Sequence, residues 1–158
     1  MNFDEAILAY VGIGIGIAGF SSIVVTLGHE RLNGSIRAIF TAIWLQCIGI
    51  MLFSLVPIYF VSAGFNEHEA FVYSSRLFFV YLAVVMPLST VIAKKIGDGK
   101  ISPWTAIISI QPLILAVNGW FVESIWLYMV ALFTAVIFAF GNFYFIVNQL
   151  WASSGEDA

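Results

Sequence analysis

The sequence predicts an all-α integral membrane bundle of five transmembrane helices. Of its 158 residues, 61% are apolar and only 9% are charged, whereas a soluble domain usually carries about 25% charged residues. The apolar residues form five stretches, most of which reach the roughly 20 residues that a helix needs to cross a bilayer. They lack the alternation of barrel strands, and backbone amides in lipid must pair internally, so each stretch is predicted to be a helix. We assign residues 1–152 to one membrane domain and 153–158 to a polar tail.

The predicted spans cover residues 6–27, 38–63, 71–93, 103–118 and 124–151. The fourth opens at Ser102-Pro103, where a capping serine precedes a proline suited to the first helical position. It ends at Asn118-Gly119, a pair typical of turns. About 16 residues rise only about 24 Å along a helix, so this span is short and is predicted to lie between neighbours.

The distribution of charge predicts the orientation of the chain. Five of the six lysines and arginines fall in the loops after the first and third spans: Arg31, Arg37, Lys94, Lys95 and Lys100. The opposite side receives the acidic residues Asp4, Glu5, Glu67, Glu69 and Glu123, with Arg76 nearby. Because cytoplasmic loops are enriched in basic residues, the amino terminus is predicted outside and the carboxy terminus in the cytoplasm.

The first span is rich in glycine. On a helical wheel Ala9, Gly12, Gly16 and Gly19 share one face, which makes a stripe of the small-xxx-small kind. Such stripes allow two helix backbones to approach closely in lipid. We expect the stripe to pack against another span of the chain; contact with a second copy and a ligand or ion path are the alternatives. The spacing Gly14-x-Gly16-x-x-Gly19 also matches the dinucleotide fingerprint, but the strand and polar helix start that this motif needs are missing.

The fifth span has two different faces. Aromatic residues recur on one side: Trp126, Phe133, Phe140, Tyr144 and Trp151. Small and polar residues occupy the other: Ala131, Ala135, Ala139, Asn142 and Gln149. We expect the small and polar face to look into the bundle, and the aromatic face to meet lipid or a partner.

Uncharged polar residues inside the spans are candidates for interhelical hydrogen bonds or for a polar pathway. They are Ser21, Ser22, Gln46, Gln111, Asn118 and Asn142. Three prolines also lie inside spans, and each removes one amide and frees the carbonyl four residues earlier. Pro57, Pro87 and Pro112 free the carbonyls of Phe53, Ala83 and Ile108, which a neighbouring hydroxyl or amide is expected to meet.

Arg76 is predicted to lie one or two turns inside the third span. An arginine at this depth either extends towards the headgroups or pairs with a carboxylate. Glu123 opens the fifth span on the same predicted side and is the candidate partner, with Glu67 and Glu69 as competitors.

The sequence indicates no catalytic, cofactor-binding or metal-binding residues. It contains no acid/base dyad, nucleophilic triad or phosphate loop, and Cys47 is alone within a span. In Glu67-His68-Glu69 adjacent side chains point in different directions, which suits a metal poorly. The few basic residues argue against nucleic acid. We therefore predict that the chain is not an enzyme and has no cofactor.

Several short segments resemble a group of small bacterial multi-pass membrane proteins of unknown function. They are the Ala-Gly-Phe-Ser segment within residues 18–25, Pro57, Ser75-Arg76-Leu77 and Asn118-Gly119. The resemblance implies a bacterial cytoplasmic (inner) membrane and no catalytic residues.

Three functional hypotheses follow. The favoured one is a non-enzymatic helical bundle that assembles with itself or within a larger membrane complex, because packing signals are plentiful. A channel or carrier for an ion or small solute is the alternative, given the glycines, prolines and amides. A membrane-embedded enzyme is the second alternative. The expected partners are the lipid bilayer and a homo-oligomer or a larger complex, without nucleic acid.

Overall fold

The computed structural model describes residues 3–27, 34–96 and 105–154, and within these ranges it contains helices and no strand. The elements are α1 (Phe3–Leu27), α2 (Gly34–Ser62), α3 (Glu67–Ile96), α4 (Thr105–Val117) continued by a π-helical turn (Asn118–Val122, the π segment), and α5 (Ile125–Ser154). The predicted all-α class with five helices is confirmed. Helices α1, α2, α3 and α5 are long and apolar enough to cross a membrane, whereas the apolar part of α4 is shorter.

Helices α1, α2, α3 and α5 extend beyond the predicted spans at one end or both. Helices α1, α2 and α3 start before their apolar cores do, because polar residues at a helix end can hydrogen-bond to water. The predicted opening of the fourth span, Ser102-Pro103, lies outside the described residues. The end of α4 at Val117 agrees with the predicted end of the span at Asn118-Gly119, but the chain does not turn at this pair. The backbone continues as the π segment, where the Glu123 amide donates to the Asn118 carbonyl at 2.9 Å, and it turns only at Glu123, whose φ is 54°.

Helices α2 and α3 are joined by a tight turn that local sequence explains. The amides of Gly64 and Phe65 donate to the carbonyls of Val61 and Phe60 at 3.0 and 3.1 Å, and Gly64 has a φ of 97°. This is a Schellman motif, in which glycine adopts the left-handed conformation at low cost. The rings of Phe60 and Phe65 supply the accompanying apolar contact, with centroids 5.3 Å apart. Asn66 then caps α3, because its Oδ1 accepts the Glu69 amide at 2.8 Å.

Helix α2 lies at the centre of the bundle and packs against α1, α3 and α5, while α4 packs against α3 and α5. Buried glycines allow close approaches between helices, and two of them lie next to or within α2's contacts with α1 and α3. A Cβ atom on Gly14 would lie 3.0 Å from Met51 Cγ of α2. A Cβ atom on Gly49 would lie 2.9 Å from the Tyr81 ring of α3, whose hydroxyl donates to the Leu45 carbonyl at 2.7 Å.

The core consists of two apolar clusters. The one at the end of the bundle that holds the α2–α3 turn is rich in aromatic residues and includes Phe53, Phe71, Phe78, Leu82, Leu115, Tyr128 and Leu132. The other is aliphatic and includes Ile17, Ile36, Ile39, Ile43, Cys47, Ile50, Ala135, Ala139 and Ile146. These side chains recur at helical spacing, so each helix presents one face to the interior.

A proline-freed carbonyl has a partner from another helix. Pro57 lies inside α2 and has no amide hydrogen to offer to the Phe53 carbonyl. The hydroxyl of Tyr128, a fully buried residue of α5, donates to that carbonyl instead. The proline therefore creates an acceptor that links α2 to α5.

Candidate functional site

The amides of the second and fourth spans form a buried pair. Gln46 Nε2 of α2 donates to Gln111 Oε1 of α4 at 2.9 Å, and both residues are buried. The Nε2 atom of Gln111 is also buried and hydrogen-bonds none of the residues that the structure describes. The pair connects α2 with α4. The amide nitrogen of Gln111 has no protein acceptor among the described residues.

Asn118 organises the α4–α5 connection. Its Nδ2 donates to the Ser75 hydroxyl of α3 at 2.8 Å, and its Oδ1 accepts the backbone amide of Ser124 at 2.7 Å. Ser75 in turn donates to the Phe71 carbonyl of its own helix at 2.9 Å. One buried asparagine therefore joins α3, the π segment and the start of α5.

The other polar candidates make no interhelical hydrogen bond within the described residues. The Ser22 hydroxyl donates to the Ala18 carbonyl at 2.9 Å, and Asn142 Nδ2 donates to the Phe138 carbonyl at 3.1 Å, both within their own helices. The Ser21 hydroxyl is buried and has no partner there. Three of the six candidates, Gln46, Gln111 and Asn118, therefore make interhelical hydrogen bonds. The other three, Ser21, Ser22 and Asn142, bond within their own helix or have no partner among the described residues.

The structure brings Arg76 and Glu123 together at the end of the bundle that holds the α2–α3 turn. A terminal guanidinium nitrogen of Arg76 lies 3.9 Å from Glu123 Oε1, and His68 Nε2 lies 3.3 Å from Glu123 Oε2. Arg76 Nε donates to the Gly119 carbonyl of the π segment at 2.7 Å. Glu67 and Glu69, the competing carboxylates, are exposed and make no ion pair with Arg76. The π segment is what places Glu123 beside α3.

The glycine stripe of α1 does not face another helix in the part of the chain that the structure describes, contrary to our expectation. Ala9, Gly12, Gly16 and Gly19 are all exposed, and a Cβ atom on any of the three glycines would meet no heavy atom within 4 Å. The buried face of α1 lies opposite and consists of Ile7, Gly14, Ile17, Ala18 and Ser21. The physical reason is that bulky Ile7 and Ile17 pack into the two core clusters, which turns their side of α1 inward. Of the α1 glycines, Gly14 alone lies close to α2.

Helix α5 presents its faces as the sequence indicates. Ala131, Ala135, Ala139 and Asn142 are buried, whereas the aromatic residues Trp126, Phe133, Phe140, Tyr144 and Trp151 are exposed. Gln149 is an exception, because it lies near the end of α5 and is exposed. The aromatic face therefore forms part of the outer surface of the bundle.

The described residues hold no group of three or more histidine, cysteine, aspartate or glutamate side chains that could bind a metal ion. Cys47 is fully buried among aliphatic residues. At the end of the bundle that holds the α2–α3 turn, the groups that meet are those of His68, Arg76 and Glu123, which can bind complementary charges at a surface.

Comparison with protein-family models, with curated proteins and with solved structures gives no match for this chain. Sequence reasoning missed the roles of Gly14, Gly49, Tyr81 and Tyr128, all of which make contacts between helices. The freed carbonyl at Phe53 was a usable signal for Tyr128, since a buried tyrosine hydroxyl usually finds a hydrogen-bond acceptor.

Proposed function

We propose that this chain is a non-enzymatic membrane bundle that assembles with a second copy of itself along α1. The observation that carries the proposal is the outward glycine stripe, which no part of the described chain covers. Helix α1 is also the least buried of the four long helices: 28% of its apolar window is buried, compared with 44% in α2 and α5. Helix α1 therefore carries the glycine stripe that suits close helix packing, yet it is the least buried long helix of the single chain.

The energetics favour a covered stripe over one that faces lipid. A glycine inside a helix costs about 1 kcal/mol relative to alanine, and three outward glycines offer lipid little surface in return. Against a second helix they allow close van der Waals contact, which drives helix association where no hydrophobic force acts between helices. Gly12 and Gly16 are four residues apart, the spacing of the glycine pair that lets two membrane helices cross closely.

A dimer with two-fold symmetry is the simplest assembly in which another helix covers the stripe. The same face of α1 would serve both copies, so one interface closes the assembly. Assembly within a larger membrane complex uses the same stripe against a different helix, and the mass of the purified assembly distinguishes the two.

The proposed setting is the cytoplasmic membrane of a bacterium, with the chain crossing it several times and the amino terminus outside. The support is the concentration of lysines and arginines on one predicted side. A cysteine placed at Glu67 in a Cys47→Ala background should react with a membrane-impermeant thiol reagent in intact cells, and one placed at Arg37 should react only after permeabilisation. The reverse pattern would invert the orientation.

Replacing Gly16 by leucine should abolish self-association and leave the fold intact. The new side chain meets no atom of its own chain near Cβ, but it holds a second helix away from the stripe. We expect the parent to have the mass of a dimer in lipid nanodiscs and the variant that of a monomer with unchanged helical content. Val84→Leu, at an exposed apolar position of α3, is the matched control. A Gly16→Leu variant that keeps the parent's mass would refute the interface.

A second candidate is a channel or carrier for an ion or small solute. One observation favours it: two buried polar atoms, Ser21 Oγ and Gln111 Nε2, have no partner among the described residues, although each can hydrogen-bond to water or solute. Solute or ion flux through proteoliposomes that disappears in Gln111→Leu would support this candidate over assembly alone.

A further inference from the structure

Arg76 keeps most of its hydrogen-bonding capacity unused. A guanidinium carries five N–H donors, one on Nε and four on the terminal nitrogens. The Nε donor is taken by the Gly119 carbonyl. The terminal nitrogens hydrogen-bond no described residue, because the approach to Glu123 is 3.9 Å, beyond hydrogen-bond range. The side chain is 38% exposed, so these donors are open to a ligand from outside the chain.

The guanidinium is also fixed in position. Its central carbon lies 5.7 Å from the centroids of both the Tyr73 ring and the Trp120 ring, within the range of cation–π attraction. Together with the Gly119 hydrogen bond, these rings hold Arg76 between α3 and the π segment. A side chain held in this way loses little conformational entropy when it binds an anion, and its planar fork matches phosphate oxygens.

Exposed apolar residues continue from Arg76 along both helices. On α3 they are Leu77, Val80 and Val84, and on α4 and the π segment they are Leu113, Val117 and Phe121. Both rows lie on the outer surface of the bundle and lead away from the end that holds Arg76. This is the arrangement that a lipid requires, with a charged headgroup at the interface and acyl chains along apolar side chains.

The local charge selects the class of headgroup. The Glu123 carboxylate lies 3.9 Å from the Arg76 guanidinium, and Glu67 and Glu69 lie in the first turn of the same helix as Arg76. These negative charges disfavour a headgroup that is purely anionic. A headgroup that carries an ammonium group beside its phosphate complements both the positive charge of Arg76 and the negative charge of Glu123. The Glu123 carboxylate is partly exposed, and its contact with His68 at 3.3 Å orients it towards the same surface.

We propose that the surface where Arg76 of α3 meets the π segment and Glu123 binds a phosphoethanolamine lipid headgroup, with the phosphate on Arg76 and the primary ammonium on Glu123. A primary ammonium donates hydrogen bonds to a carboxylate, which the methylated ammonium of choline does not do. The site is separate from the glycine stripe, so it operates whether or not α1 forms an interface.

Native mass spectrometry with added lipids of matched acyl chains tests the site. We expect the parent to bind phosphatidylethanolamine more tightly than phosphatidylglycerol or phosphatidylcholine, by about fivefold for one partly exposed ion pair. In Glu123→Gln, an isosteric change at an exposed side chain, the preference for ethanolamine should disappear. Arg76→Gln should weaken the binding of all three lipids, and Arg76→Lys should weaken it less. Arg37→Gln, an exposed arginine on α2, is the control and should leave all three unchanged.

Three results would overturn the proposal. They are equal binding of phosphatidylethanolamine and phosphatidylglycerol by the parent, an undiminished ethanolamine preference in Glu123→Gln, and an effect of Arg37→Gln equal to that of Arg76→Gln. Soluble phosphoethanolamine distinguishes the source of the ligand. If it competes with the lipid at equal concentration, the exposed apolar residues of α3 and α4 contribute nothing to binding and the site binds a free phosphoamine instead of a lipid.

Discussion

Replacing Gly14 by leucine is expected to lower the free energy of unfolding by about 3 kcal/mol, at the upper end of overpacking effects. Even a methyl group at Gly14 would lie 3.0 Å from Met51 Cγ and 3.4 Å from the Cys47 carbonyl oxygen. Met51 can move, but the backbone of α2 cannot do so without separating the two helices. The free energy is measured by titrating the protein from mild detergent micelles into a denaturing detergent, at a dilution that keeps single copies.

Gly12→Leu is the matched control for this prediction. It introduces the same side chain two residues away, where no heavy atom lies within 4 Å of the new Cβ. Leucine favours a helix over glycine by roughly 0.8 kcal/mol, so the control should be as stable as the parent or slightly more stable. Equal losses in the two variants would show that α1 does not pack on α2 through Gly14.

Replacing Tyr128 by phenylalanine is expected to lower the free energy of unfolding by about 2 kcal/mol. The change keeps the buried ring but removes the hydroxyl that donates to the Phe53 carbonyl. Because Pro57 has no amide hydrogen, that carbonyl loses the donor that replaces the missing helical one, and a buried polar group without a partner costs about 1–3 kcal/mol. Denaturing-detergent titration of the purified variant measures the loss.

A double-mutant cycle with Pro57→Ala isolates the cause. Alanine restores an amide hydrogen that can reach the Phe53 carbonyl, so Tyr128→Phe should cost less in that background than in the parent. An equal cost in both backgrounds would mean that the tyrosine stabilises the fold through packing alone.

The helices themselves could be predicted from the sequence because apolar length and the absence of interior charge determine them. Their detailed ends could not. Asn118-Gly119 is a common turn signal, but the Asn118 side chain binds Ser75 and Ser124, and these contacts lie within a continuing helical segment. A contact between residues 43 positions apart in the chain is invisible to local turn chemistry.

The glycines of α1 also separate what the sequence can predict from what it cannot. The sequence shows four glycines within eight residues of α1, and the stripe of three is the more regular feature. The structure uses Gly14, the one outside the stripe, for the contact with α2. A helical wheel shows which residues share a face but not which face meets the rest of the chain, because that depends on the side chains of α2 opposite. The contact between Arg76 and Glu123 was easier to foresee, since Arg76 is the one lysine or arginine that the sequence places on that side.

In the proposed assembly, α1 meets a second α1 along Ala9, Gly12, Gly16 and Gly19. Disulfide cross-linking in native membranes tests this most directly, with Cys47 replaced by alanine so that the introduced cysteine is the only thiol. A Gly16→Cys variant should give a covalent dimer under mild oxidation, while Val84→Cys, at an exposed position of α3, should remain monomeric. A Gly16→Cys variant that stays monomeric, or that dimerises no faster than Val84→Cys, would contradict the proposed assembly.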